Sequence, residues 1–165
     1  MTTIPNMNLL QPTGFRLVVD RKNYPSISYF VNAVDHPSVS VTPAEVPYKR
    51  VTSIPVPGEK LEFAEVSFDL IMDEEMAVYN EMYEWLKRMT EEKYVSPLNR
   101  TSTEVPFETD ITLVILNSSN NIEKKITYKN AFPTNIGNIR MDASNNDNTV
   151  MVVPVSFRYT YFILS

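Results

Sequence analysis

The side chains that could do chemistry in this chain are few. Three carboxylates, Glu62, Glu65 and Asp69, lie along one alternating segment, and Asp73-Glu74-Glu75 follow it. Two acids held at a defined separation in a cleft could hydrolyse a glycosidic bond. Here the acids interleave with apolar residues, and the Asp-Glu-Glu run suits a helix start, so they read as solvated positions. His36, within Val34-Asp35-His36-Pro37, is the lone histidine. A hydrolase triad would place it beside a nucleophile on a glycine-flanked elbow, and no such pattern occurs. It reads as a structural histidine. The chain has no cysteine, which removes thiol nucleophiles, thiolate metal sites and disulfides. Gly14, Gly58 and Gly137 are its only glycines, too far apart for a phosphate-binding loop or a dinucleotide fingerprint. The Asn-rich stretch from Asp142 to Asp147 lacks the glycine and bidentate glutamate of a calcium loop, and reads as a turn. These residues point to no catalysis, no cofactor and no metal.

Size and charge narrow the rest. A chain of 165 residues suits one domain, 1–165, with a core large enough to need no staples. Fifteen basic residues against 20 acidic give a net charge of −5. Duplex binding calls for a basic face, and the densest basic run is Lys124-Lys125, so adhesion to nucleic acid is not expected. The first residues lack the basic and apolar regions of a secretion signal, and no apolar run reaches the ~20 residues that span a bilayer. The expected product is soluble, cytoplasmic when made, and free of membrane.

The elements that must position these residues are mostly strands. Met151, Val153, Val155, Phe157, Tyr159 and Tyr161 alternate with Val152, Pro154, Ser156, Arg158 and Thr160, a pattern with one apolar face. Pro154 places that strand at an edge or a bulge. Phe15–Asp20, Ile27–Val34, Leu61–Met72, Ile111–Asn117 and Ile122–Tyr128 read as strands too, with Tyr48–Ile54 a weaker one. Ser118-Ser119-Asn120-Asn121 joins two of them as a hairpin. One helix is expected over Asp73–Met89. Asp73 caps it, Lys87 and Arg88 suit its far end, and Met76, Tyr79, Met82, Tyr83, Leu86 and Met89 form an apolar stripe with Trp85 beside it. The expected fold is therefore mainly β: an antiparallel barrel or sandwich with an amphipathic helix packed outside. An extended arm, 1–12, and two long Pro-rich or polar loops, 35–60 and 91–110, complete it.

One stretch near the end looks familiar. Ala131-Phe132-Pro133-Thr134-Asn135-Ile136-Gly137-Asn138-Ile139 precedes a polar turn and a final alternating strand over Val150–Phe162. This resembles the closing segment of tail tube proteins of contractile-tailed, T-even-type bacteriophages. There, a Pro-Thr-Asn-aliphatic-Gly motif leads into the last strands. Pro57-Gly58-Glu59-Lys60 leading into Leu61–Met72 and the helix is similar to the same family, so the resemblance covers roughly Ile54–Tyr161. The segment around Leu10-Gln11-Pro12-Thr13-Gly14-Phe15 departs from the main tube subunit. Tube-like baseplate and tube-terminus proteins share the domain.

The resemblance implies hexameric rings that stack into a tube, with strands of neighbouring copies joined into one lumen wall. It implies tail sheath and baseplate proteins as partners, DNA passing without specific binding, and a place in the virion after assembly in the host cytoplasm. Physically, Pro133, Thr134, Asn135 and Gly137 also make sense as a tight connection, with the glycine at positive φ. Strand alternation sets Glu65, Ser67 and Asp69 opposite Val66, Phe68 and Leu70. Glu65 and Asp69 are thus expected to face the lumen, within a wider set of Glu59, Glu62, Glu108 and Asp110. Two rivals stand beside this reading: a monomeric ligand-binding β-barrel with the long loops as lids, and a carboxylate enzyme.

Overall fold

The computed structural model describes residues 9–20, 22–28, 30–48, 52–90, 106–142 and 150–165. The first part of the arm (1–8) and most of the 91–110 loop (91–105) lie outside the described residues. A seven-stranded antiparallel sheet forms the body. Along its path run β1 (Phe15–Val18), β8 (Thr109–Leu116), β9 (Ile122–Ile136), β10 (Val152–Arg158), β7 (Val66–Ile71) and β2 (Val31–Asp35), and β11 (Tyr161–Leu164) pairs with β9 off that path.

The long strand β9 folds this sheet onto itself. Its first half pairs with β8 and with β11, and its last residues pair with β10. Asn130 sits between the halves with φ 54°, a left-handed kink that asparagine accommodates better than most residues. The two layers face each other through the apolar side of every strand. Leu17, Ile111, Leu113, Ile126 and Tyr128 meet Val66, Phe68, Leu70, Val155 and Phe157 in one buried cluster. The expected sandwich is present, and the period-two pattern locates its core because alternate side chains must share a face.

Four boundaries differ from the sequence expectation, each for a local reason. Leu61–Met72 is two strands, β6 (Leu61–Phe63) and β7, interrupted at Ala64-Glu65. Val150–Phe162 likewise breaks after Arg158, and the backbone N–H of Thr160 donates to the carbonyl of Lys129. The expected loop 35–60 is largely strand. β3 (Val39–Val41) pairs with β6, and β4 (Ala44–Tyr48) pairs with β5 (Thr52–Val56). They extend the β2/β7 pair outward as a ribbon. Pro47 and Pro55 fit there because each has a single neighbouring strand, leaving one side of the backbone unpaired. Of the weak strand expected at Tyr48–Ile54, Tyr48 ends β4 and Thr52–Ile54 belong to β5, while 49–51 lie outside the described residues. The polar tip at 118–121 is a hairpin turn as expected: the Asn117 side chain accepts from the backbone N–H groups of Ser119 and Asn121, both at 3.0 Å.

The helix α1 (Ala77–Thr90) starts later than the sequence suggested. Asp73 through Met76 makes a turn closed by the Met76 N–H on the Asp73 carbonyl (3.0 Å), and Met76 takes a left-handed φ of 54°. Asp73 Oδ2 then accepts from the Ala77 N–H at 3.2 Å, so the capping residue is right and the first turn is displaced. The buried face is displaced as well. Val78, Met82 and Trp85 enter the core, whereas Tyr83 stays half exposed and Met76, Tyr79 and Leu86 are only partly covered. Trp85 decides this orientation. Its ring stacks on Tyr24 (4.0 Å between centroids), meets Phe157 edge-on (5.8 Å), and its indole N–H donates to the Phe107 carbonyl at 2.8 Å.

This orientation is testable by thermal denaturation. Met82→Ala removes a fully buried side chain and should cost about 2–5 kcal/mol. Tyr83→Ala should stay within about 0.5 kcal/mol of wild type, as expected for an exposed position. Equal losses would mean that the helix sits rotated.

Candidate functional site

The candidate site is the outward face of the layer β2-β7-β10-β9. With Val66, Phe68 and Leu70 fully buried, their neighbours Glu65, Ser67 and Asp69 must point away from the core. Cross-strand register extends this face. Asp69 lies between Ala33 and Pro154, and Ser67 between Asp35 and Ser156. Ser156 in turn pairs with Asn135. The result is a polar surface holding, among the described residues, the carboxylates of Asp35, Glu65 and Asp69, small hydroxyls and amides, and the cation Arg158.

The geometry around Glu65 is loose and solvated. Arg158 Nε lies 4.0 Å from Glu65 Oε1, with both side chains well exposed. Such a pair contributes little in water. Thr134 Oγ1 stands 3.4 Å from Glu65 Oε2 and 3.2 Å from the Ser156 carbonyl. Asp35 and Glu65 are exposed and Asp69 is partly covered, and among the described residues no charged side chain is buried in the way acid–base chemistry uses. Among the described residues no group of three or more His, Cys, Asp or Glu side chains could hold a metal ion. No described helix is long and apolar enough to cross a membrane.

Two edges bound this face. β2 pairs with β7 and ends the sheet path. At the other side, the pairing of β9 with β8 stops at Ala131 and its pairing with β11 stops at Lys129. Phe132–Ile136 therefore pair with β10 alone among the described residues.

A sequence model of the phage tail tube protein family matches residues 3–165. The chain belongs to that family. Solved structures share the fold. The sheath/tube terminator of an extracellular contractile injection system (PVC, extended state) is 16% identical at a TM-score of 0.65, over 96% of this chain and 97% of that one. The sheath–tube complex of the same system gives 15% and 0.67, over 97% and 93%. The tube-terminating cap of the anti-feeding prophage gives 14% and 0.69, over 99% and 95%. No curated protein sequence matches the chain.

For a tail tube protein, the motif at Pro133–Gly137 has an unexpected position. Pro133, Thr134, Asn135 and Ile136 are the last residues of β9, a strand rather than a turn. No glycine has a positive φ, so Gly137 is required for space and not for conformation. A Cβ there would lie 2.6 Å from Pro154 Cγ and 2.9 Å from the Pro154 carbonyl, which accepts from the Gly137 N–H at 2.7 Å. The wider acid set is dispersed. Asp110 belongs to the other layer, where it pairs with Lys129 and accepts from the Asn130 N–H. Glu62 lies on the ribbon opposite Ser40.

Sequence reasoning missed an aromatic clamp at the root of the ribbon. His36 Nδ1 lies 2.8 Å from Tyr128 Oη, and its ring meets Phe162 edge-on at 5.1 Å. Phe63, from the return strand of the ribbon, meets Phe162 at 5.5 Å and Tyr159 at 6.0 Å. The Val34-Asp35-His36-Pro37 sequence carries no sign of partners some 90 residues away. Partial burial lowers the His36 pKa, because desolvation penalises the imidazolium. The unfolded chain then binds the proton more readily than the folded one, so this contribution to stability is present above about pH 6.5 and is lost as pH falls below it. Thermal melts at pH 7.5 and 5.5 should show a larger loss for wild type than for His36→Gln. Identical losses would remove His36 from the clamp.

Proposed function

We propose that this tail tube protein closes into hexameric rings by joining the β2 edge of one copy to the Phe132–Ile136 edge of the next. The layer β2-β7-β10-β9 contains an even number of antiparallel strands, so its two edge strands run in opposite directions. Identical copies placed side by side then meet antiparallel at every junction, and the pattern repeats until the ring closes. Closure pairs the two rows of backbone groups that the single copy leaves open.

The observation that carries the reading is the acidic, small-residue face lying between those edges. Rolled into a bore, it presents Asp35, Glu65 and Asp69 once per copy against a single Arg158. Phosphates are repelled rather than held, so DNA slides through without adhering. The protein is a conduit component with no catalytic step. Stacked rings form the tube, the ribbon β3–β6 reaches toward the next ring, and sheath and baseplate proteins are the partners in a virion assembled in the host cytoplasm. Its station is the main tube or a tube terminus, and the similar structures include proteins of both kinds. A ligand barrel would need a void between the layers. Among the described residues that space holds Phe68, Tyr128, Phe157 and Leu70, and two concave regions of about 350 and 540 Å³ open at the surface beside β1.

Negative-stain electron microscopy of the purified protein should show rings or tubes; a species that stays near 19.0 kDa at high concentration would favour the ligand barrel. Tails carrying Glu65→Lys with Asp69→Lys should assemble yet eject DNA slowly or not at all, most severely at low salt where screening is weak. Normal ejection at every ionic strength would show that this face does not line the bore. Every residue of β4 and β5 is exposed in the single copy. Their amides should exchange fast in the free subunit and slowly in stacked rings, and equal exchange would detach the ribbon from stacking.

A further inference from the structure

The helix carries more apolar surface than its own core uses. Around α1, Val78, Met82 and Trp85 occupy the buried side. At 100° per residue, Leu86, Tyr79 and Tyr83 form a second stripe that begins beside the first and turns away from it, with Met76 in the turn just before the helix. Tyr83, at its centre, is 50% exposed, and Met76, Tyr79 and Leu86 are only partly covered. The opposite shoulder of the helix is occupied differently. Glu81 accepts from the Ser26 N–H and Oγ–H, and Arg88 donates to Tyr24. Both the core side and that shoulder are therefore engaged, and one apolar side is left to water.

We propose that this second stripe, Tyr79, Tyr83 and Leu86, packs against a second copy of the chain at the ring junction, an inference that rests on the ring reading above. Continuity with the junction is the first argument. α1 packs on β9, the strand whose far end supplies the open edge, so the helix and that edge are carried by one element. The second argument is geometric. Packed sheets lie about 10 Å apart. If the inner layers of a hexamer join strand to strand, the outer layer sits on a circle wider by about 10 Å in radius, and each junction there opens by roughly 10 Å. Strands cannot close such a gap, whereas a helix of about 10–12 Å diameter fills it. A helix with apolar sides toward both its own core and its neighbour suits that place.

The test uses the full chain. Tyr83→Glu should leave the circular dichroism spectrum and melting temperature of the free subunit unchanged and weaken ring formation at least tenfold in sedimentation velocity. Because the chain has no cysteine, Tyr83→Cys offers a single thiol for a second readout. That thiol should react rapidly with a maleimide in the free subunit and at least tenfold more slowly in preformed rings. Three results overturn the proposal: rings that form as well with Tyr83→Glu as without it, a thiol equally reactive in rings and in free subunits, or a thiol already shielded in the free subunit, which would mean that the chain covers the stripe itself. If the wild-type chain forms no rings at any concentration, the ring reading fails first and this inference fails with it.

Discussion

Everything in this molecule follows from a sheet that is folded over but not closed. β9 bends between the two layers and holds both, while β1 and β2 end the path with no strand on their outer sides among the described residues. An open edge exposes backbone donors and acceptors in a row, and soluble proteins normally blunt such edges with charge, proline or a covering element. Here the Phe132–Ile136 edge contains Pro133, and β2 has Asp35 at its end, but neither edge is covered among the described residues. In the ring proposed above, that property serves assembly, because the partner each edge lacks would be another copy of the chain.

Core packing determines which surfaces remain for that purpose. Val66, Phe68 and Leu70 on β7, with Val153, Val155 and Phe157 on β10, are buried almost completely, so the opposite side of both strands is committed to solvent or to a bore. The acids on that side need no partners, since water or a lumen hydrates them. The same packing orients the helix. Trp85 is the largest fully buried side chain, and its stacking on Tyr24 together with its hydrogen bond to Phe107 sets the rotation of α1. Tyr83 is left outside as a consequence.

The ribbon follows a separate logic. It grows out of the β2/β7 pair, and the rings of His36, Phe63, Tyr128, Tyr159 and Phe162 clamp its root to the body. Past the clamp it has no sheet to lie on. Val46, Ile54 and Val56 share one of its faces and are exposed, an arrangement that makes sense where a neighbouring ring supplies the other half of the contact.

Sequence alone determined the fold class, the apolar faces of the strands, the hairpin at Ser118–Asn121, the capping role of Asp73 and the placement of Glu65 and Asp69 on the side away from the core. Each of these depends on spacing of two to four residues, which local geometry converts directly into direction. The resemblance around Pro133–Gly137 pointed to the right family as well. Other features were decided only by the tertiary structure. Pro133–Ile136 became a strand because β10 lies beside it, and Gly137 is a glycine because Pro154 leaves no room for a side chain. The prolines of 35–60 suggested a loop, yet a two-stranded ribbon tolerates them on its unpaired side. The sequence placed one apolar stripe at Met76, Tyr79, Met82, Tyr83, Leu86 and Met89 with Trp85 beside it, and nothing local shows that Val78, Met82 and Trp85 are the residues buried. The choice came from Tyr24, Phe107 and Phe157, residues distant in sequence that meet Trp85 only when the chain is folded.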